Sequence, residues 1–162
     1  MTDEKKDLTW LLNKAYFFLK FRLRTKKELQ EYLLKKSRNK DYSFSDIKTV
    51  VDQLEKQGLI NDQEFIKSFV SQRLLFKPKS QFLLEKELLR LGVEKKDIDD
   101  YFAQNPIDEK KLAMKVLLKA WHRFKNLPNE KKFKKAVGFL LRRGFGYEIA
   151  TDVFKKLNLN NG

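Results

Sequence analysis

Leu54-Glu55-Lys56-Gln57-Gly58-Leu59-Ile60-Asn61-Asp62-Gln63-Glu64-Phe65-Ile66, running on through Phe69-Val70-Ser71-Gln72-Arg73, holds a helix end, a short link and a helix start. Gly58 suits the left-handed position that closes a helix, because it has no Cβ to clash there. Asn61 suits the N-cap, where a short polar side chain accepts amide hydrogens of the opening turn. Before the link, Ile47, Val50, Val51 and Leu54 keep helical spacing, and after it so do Phe65, Ile66, Phe69, Val70 and Leu74. Two amphipathic helices joined this tightly set the reading of the whole chain as all-α.

Working outward, the same grammar recurs. Toward the N-terminus, Ser43 caps the helix that ends at Gly58. Thr25-Lys26-Lys27-Glu28 reads as a capping box ahead of Leu29, Tyr32 and Leu33, and Leu8, Leu11, Leu12, Ala15 and Leu19 form an earlier stripe. Toward the C-terminus, Pro78 is expected to open a helix that carries Leu84, Leu88 and Leu91 and stops at Gly92. A short helix with Ile98, Tyr101 and Phe102 follows, ending at Asn105-Pro106. From Ile107 onward, Ala113, Val116, Leu117 and Ala120 mark one helix. Phe133, Ala136, Val137, Leu140 and Leu141 mark another, ended by Gly144. Ile149, Val153 and Leu157 mark the last, with Gly146 as its cap. Nine helices of roughly 10–17 residues account for the chain, near the usual length, and no segment reads as a strand.

Leu89-Arg90-Leu91-Gly92-Val93 corresponds to Leu141-Arg142-Arg143-Gly144-Phe145, and an aromatic-bearing helix follows each. Single compact helical domains show similar stripes, but this correspondence favours three tandem three-helix repeats, residues 1–60, 61–106 and 107–162, in an elongated and curved chain.

Composition narrows the function. The 162 residues contain no cysteine and one histidine, His122, which excludes thiolate zinc sites, iron–sulfur clusters and cysteine nucleophiles. No glycine-rich phosphate loop is present, and Gly144-Phe145-Gly146 lacks the preceding strand and the following Lys-Ser/Thr. The acidic pairs Asp99-Asp100 and Asp108-Glu109 fall at helix ends, where solvation or the helix dipole accounts for them. Nothing supports an enzyme, and no cofactor or metal is expected. No apolar run is long enough for a membrane span. Met1-Thr2-Asp3-Glu4-Lys5-Lys6-Asp7 lacks a signal core, so a cytoplasmic protein is expected.

Basic side chains number 36 against 22 acidic, a net charge of +14. The excess is uneven: residues 1–60 hold 14 basic and 9 acidic groups, residues 61–106 hold 8 of each, and residues 107–162 hold 14 and 5. Two clusters stand out. One is Lys20-Phe21-Arg22-Leu23-Arg24-Thr25-Lys26-Lys27. In the other, Lys131, Lys134, Lys135 and Arg142 share the helix face opposite Phe133, Ala136, Val137 and Leu140. Such density neutralises phosphates or pairs with carboxylates on a protein. Lysine predominates and no Asn/Gln/Arg set forms a base-reading code, so phosphate tracking is favoured over sequence-specific readout. The fourteen phenylalanines are read mostly as packing rather than base-stacking platforms.

Four segments together resemble the RecX family of regulators of the bacterial RecA recombinase. They are Leu19 to Leu33 with its Thr25–Glu28 turn; Leu54 to Arg73 around Gly58-Leu59-Ile60-Asn61-Asp62; Lys77-Pro78-Lys79-Ser80 followed by Leu84 to Val93; and Leu140-Leu141-Arg142-Arg143-Gly144-Phe145. The similarity runs from about residue 8 to 157. Asn61 stands where that family usually has aspartate, Gly146 replaces a polar cap, and Ser37–Tyr42 is an insertion.

The resemblance implies a protein that docks on the RecA–DNA filament; nothing in the sequence requires self-association, so a monomer is expected. It would inhibit ATP turnover, strand exchange and filament growth, in recombinational repair and the SOS response. Contact with single- or double-stranded DNA is implied as well. The expected contact residues are Arg22, Arg24, Lys26 and Lys27 in the first repeat, then Arg73, Lys77, Lys79 and Arg90 in the second. In the third they are Lys131, Lys134, Lys135, Arg142 and Arg143. The competing reading is a stand-alone DNA-binding protein, architectural or transcriptional.

Overall fold

The computed structural model describes residues 5–161. Met1–Glu4, on which the absence of a signal core partly rests, lie outside the described residues, as does Gly162. Among the described residues there are nine α-helices, a 3₁₀ turn and no strand. The helices are α1 (Thr9–Leu19), α2 (Lys26–Lys36), α3 (Phe44–Lys56), α4 (Asp62–Phe76), α5 (Gln81–Arg90), α6 (Lys95–Gln104), α7 (Glu109–Ala120), α8 (Asn129–Arg142) and α9 (Tyr147–Asn161). The 3₁₀ turn, Trp121–Arg123, follows α7 directly. No helix among the described residues is long and apolar enough to cross a membrane.

Helix starts follow local chemistry. Thr25 and Ser43 each complete a capping box, with Glu28 and Asp46 reaching back to the N-cap amide. Asn61 Oδ1 accepts the Gln63 and Glu64 amides at 3.0 and 3.2 Å. One start differs from expectation: α5 opens at Gln81, not at Pro78. Ser80 is the cap, accepting the Leu83 N–H on its hydroxyl at 3.4 Å. The Pro78 carbonyl accepts from the Arg143 guanidinium at 3.0 Å, ahead of the helix.

The chain divides into two compact units, the boundaries falling within α4, α5 and α6. The first comprises the described part of Met1–Ser68 with Leu88–Ile98. Its core is the α1–α2–α3 bundle, in which Leu11, Ala15, Leu29, Leu33 and the α3 stripe Ile47, Val50, Val51 and Leu54 are buried. The Ser37–Tyr42 insertion closes on this bundle, stacking Tyr42 on Trp10 with ring centroids 5.8 Å apart. The second unit comprises Phe69–Glu87 with the described part of Asp99–Gly162. There α9 lies against α7 and α8. Phe154 meets Trp121 and Phe133 at 5.9 and 5.3 Å in the core.

Each unit contains one repeat junction, and the two junctions are built alike. In the first unit the Thr25 hydroxyl donates to the Leu91 carbonyl at 2.6 Å, and the Lys26 N–H donates to Asp62 Oδ1 at 2.9 Å. In the second unit the Ser80 N–H donates to the Arg143 carbonyl at 2.9 Å, and the Gln81 N–H donates to Glu109 Oε1 at 2.8 Å. The N-cap region of each repeat's second helix thus meets the glycine end of the next repeat's second helix. The first helical amide meets the acid that opens the next repeat. Gly92 and Gly144, at φ 91° and 89°, lie so close to Lys27 and to Ser80 and Leu83 respectively that a Cβ would overlap those side chains. Tandem three-helix construction is therefore visible as a recurring set of bonds.

Candidate cationic binding surface

The cations of the first cluster are largely consumed by the fold. The Arg22 guanidinium donates to both Glu28 carboxylate oxygens, at 2.9 and 3.1 Å, and so steadies the capping box. Arg24 lies over the Phe18 ring at 4.0 Å, and Phe18 in turn stacks on Tyr32 at 4.0 Å. Burial, with help from neighbouring Arg22, pulls the Arg24 pKa below its ordinary value. Lys26 reaches Asp52 and Glu55, both at 3.6 Å, and Lys27 reaches Glu31 at 3.9 Å. These four serve intramolecular contacts first.

The middle set divides. Arg73 Nε donates to Glu87 at 3.2 Å while its guanidinium covers Phe69 at 4.6 Å, and Lys79 also pairs with Glu87. Burial pushes the Glu87 carboxyl up, but the two cations outweigh it and hold it below the ordinary value. Lys77 and Arg90 stand exposed.

The α8 set behaves differently. Lys131, Lys134, Lys135 and Arg142 are all exposed and take part in none of the ion pairs among the described residues. They border an open groove of about 1060 Å³ together with Arg123 and Tyr147, over a floor that includes Phe133, Val137 and Leu141. The amphipathic pattern of α8 explains the placement: Ala136, Val137, Phe139 and Leu140 turn into the core with Lys132 among them, and Lys131, Lys134, Lys135 and Arg142 stay at the surface. Gly138 leaves a notch in this face, across which the Arg142 side chain lies. Such a surface combines several unpaired charges with an apolar bed, suited to an extended polyanion.

Arg143 is apart from this set. It is half-buried, donates to Pro78 and lies over Phe139 at 5.0 Å. Burial, then Arg123, depresses its pKa.

Sequence reasoning missed three features. Lys132 is buried with its ammonium on Asn158 Oδ1 at 3.3 Å; its place on the Ala136–Phe139–Leu140 stripe was the available signal. Glu109 is a junction residue rather than a solvated helix-end charge. Five phenylalanines, namely Phe17, Phe21, Phe44, Phe76 and Phe82, are exposed rather than packed.

Residues 108–154 match the family described as RecX, third three-helix domain. A regulatory protein RecX from Streptococcus equi subsp. zooepidemicus is 30% identical over 148 residues, covering 91% of this chain and 55% of that protein. A regulatory protein RecX from Streptococcus agalactiae serotype Ia is 29% identical over 153 residues, covering 94% of this chain and 57% of that protein. The chain thus spans about half the length of the curated relatives it matches. The crystal structure of RecX from Lactobacillus salivarius shares the fold with a TM-score of 0.77 at 23% identity, covering 94% of this chain and 97% of that one.

Proposed function

From its kinship with the RecX proteins, we propose that the chain is a non-enzymatic regulator of the RecA recombinase, one that binds the RecA–DNA filament and lowers its ATP turnover, strand exchange and growth. One observation carries the reading: the exposed cations Lys131, Lys134, Lys135 and Arg142 of α8 lie along a single groove and take part in no ion pair among the described residues. Phosphates of filament-bound DNA, or carboxylates of the recombinase, supply the missing partners. Inhibition then needs no catalytic group. A protein that binds one filament conformation more tightly than another shifts the population toward it. The same proposal takes the repeats as residues 1–60, 61–106 and 107–162, the protein as a monomer, and the cytoplasm as its compartment.

The test is DNA-dependent ATP hydrolysis by RecA, measured with and without the purified chain. Suppression below equimolar ratio is expected, and an unchanged rate at excess would sink the proposal. The α8 face also suits a stand-alone DNA-binding protein. That reading requires tight duplex binding without recombinase that survives about 0.15 M salt.

A further inference from the structure

A second concave site lies in the Phe69–Glu87 and Asp99–Gly162 unit, where the C-terminal parts of α4, α7 and α8 converge. The α7 side supplies Val116 and Ala120, the α8 side supplies Phe139, and the last turn of α4 supplies Leu74, Leu75 and Phe76. Leu75 and Phe76 are 71% and 73% exposed, so apolar surface is open to a partner here. The rim is basic throughout: Lys115, Lys119, Arg123 and Arg143 line the opening, His122 adds a further nitrogen donor, and no acidic residue among the described ones lines it. Arg143 is already bonded to the Pro78 carbonyl, but Lys115, Lys119 and Arg123 are exposed. The volume, about 270 Å³, falls below the roughly 300–1,000 Å³ of small-molecule sites. It suits one large side chain of the kind that anchors a protein interface.

We propose that this pocket docks an acidic peptide segment, seating one aromatic or large aliphatic anchor between α4, α7 and α8 while its carboxylates meet the basic rim. Charge complementarity selects the occupant. A neutral apolar ligand would leave the rim cations unmatched. Phe76 and Phe139 are the pocket's aromatic lining, and Leu74, Leu75, Val116 and Ala120 make the rest of the wall aliphatic, which suits an enclosed side-chain anchor better than a run of stacked bases. The site shares Arg123 with the α8 groove but none of the residues varied below, so its test is separate from that of the filament proposal.

The probe is a fluorescein-labelled peptide of aspartates and glutamates around one phenylalanine, titrated with the whole chain and read by anisotropy. Binding is expected to weaken at least about tenfold, equivalent to roughly 1.4 kcal/mol, when the peptide phenylalanine becomes alanine. A similar loss is expected in the double variant Leu75→Ser with Phe76→Ser, and in Lys115→Glu with Lys119→Glu. The charge-matched variant Lys155→Glu with Lys156→Glu, on α9, should bind as the parent does. Circular dichroism confirms that each variant folds. Equal binding of the alanine peptide overturns the proposal, as does an equal loss in the α9 variant. Displacement of the peptide by a single-stranded oligonucleotide assigns the pocket to nucleic acid instead. Sedimentation showing a dimer that dissolves in Leu75→Ser with Phe76→Ser assigns it to a second copy of the chain. Either result also overturns it.

Discussion

Glu109, the first residue of α7, accepts the backbone N–H of Gln81, the first residue of α5, at 2.8 Å, just as Asp62 accepts the N–H of Lys26 at 2.9 Å. Each bond satisfies an opening amide that no helical carbonyl can reach. Glu109→Ala should therefore cost about 1–2 kcal/mol in urea unfolding, since the amide loses a charged acceptor. Glu109→Gln retains an acceptor oxygen and should cost less. Equal losses in both variants would show that the charge, not the bond, matters.

The pH dependence of Glu109 and Glu87 runs in opposite directions. Burial raises Glu109 above its ordinary value, with Glu85 adding to the effect and the Gln81 bond opposing it. A raised carboxylate makes the ionised form unfavourable in the folded state, and that penalty disappears as pH falls. Relative to the parent, Glu109→Gln should thus cost less at pH 7 than at pH 4. Glu87 is held low by Lys79 and Arg73, so its contribution is present above the unfolded carboxylate range and is lost as pH falls through the folded value. Glu87→Gln should be destabilising at pH 7, with the difference closing under acid. Urea titrations at the two pH values decide both.

Two glycines give opposite expectations. Gly144→Ala forces a Cβ into Ser80 and Leu83 at φ 89° and should destabilise by about 1–3 kcal/mol. Gly138→Ala lies within α8 and meets only the flexible tip of Arg142. It should stabilise by up to about 1 kcal/mol through helix propensity. Thermal melts of the two variants should move in opposite directions.

The paired arginines at the end of α8 separate binding from folding. Arg142→Ala should weaken DNA or filament binding and reduce the salt slope by about one, leaving urea stability unchanged. Arg143→Ala should lower stability, because it leaves the Pro78 carbonyl without its donor and uncovers Phe139. A stability loss in Arg142→Ala would place that side chain among the fold's own contacts.

Phe65, only 5% exposed on α4, tests the core. Phe65→Ala should cost about 3–5 kcal/mol, read from the urea midpoint.

Local signals in the sequence carried most of the fold. Thr25–Glu28, Ser43–Asp46 and Asn61 cap helices because their partners lie within three residues, and the apolar stripes show which face turns inward. Function was harder to read, because a basic residue looks the same whether it is free or paired. Arg24 and Lys131 are both cations beside apolar neighbours. Only the fold shows Arg24 laid on Phe18 and Lys131 exposed on α8. The Thr25–Leu91 bond spans 66 positions and the Arg143–Pro78 bond 65, separations at which residue periodicity carries no information. The α4–α7–α8 pocket escaped notice for the same reason: its walls come from three distant segments.

The recurrence of one docking pattern has an evolutionary consequence. A repeat joins its successor through a hydroxyl residue, an amide, an acidic side chain and a glycine turn. Copying one such segment in frame would reproduce both halves of the joint at once. Lengthening or shortening a chain of this kind is therefore a matter of gene duplication or deletion, with no fresh interface to invent.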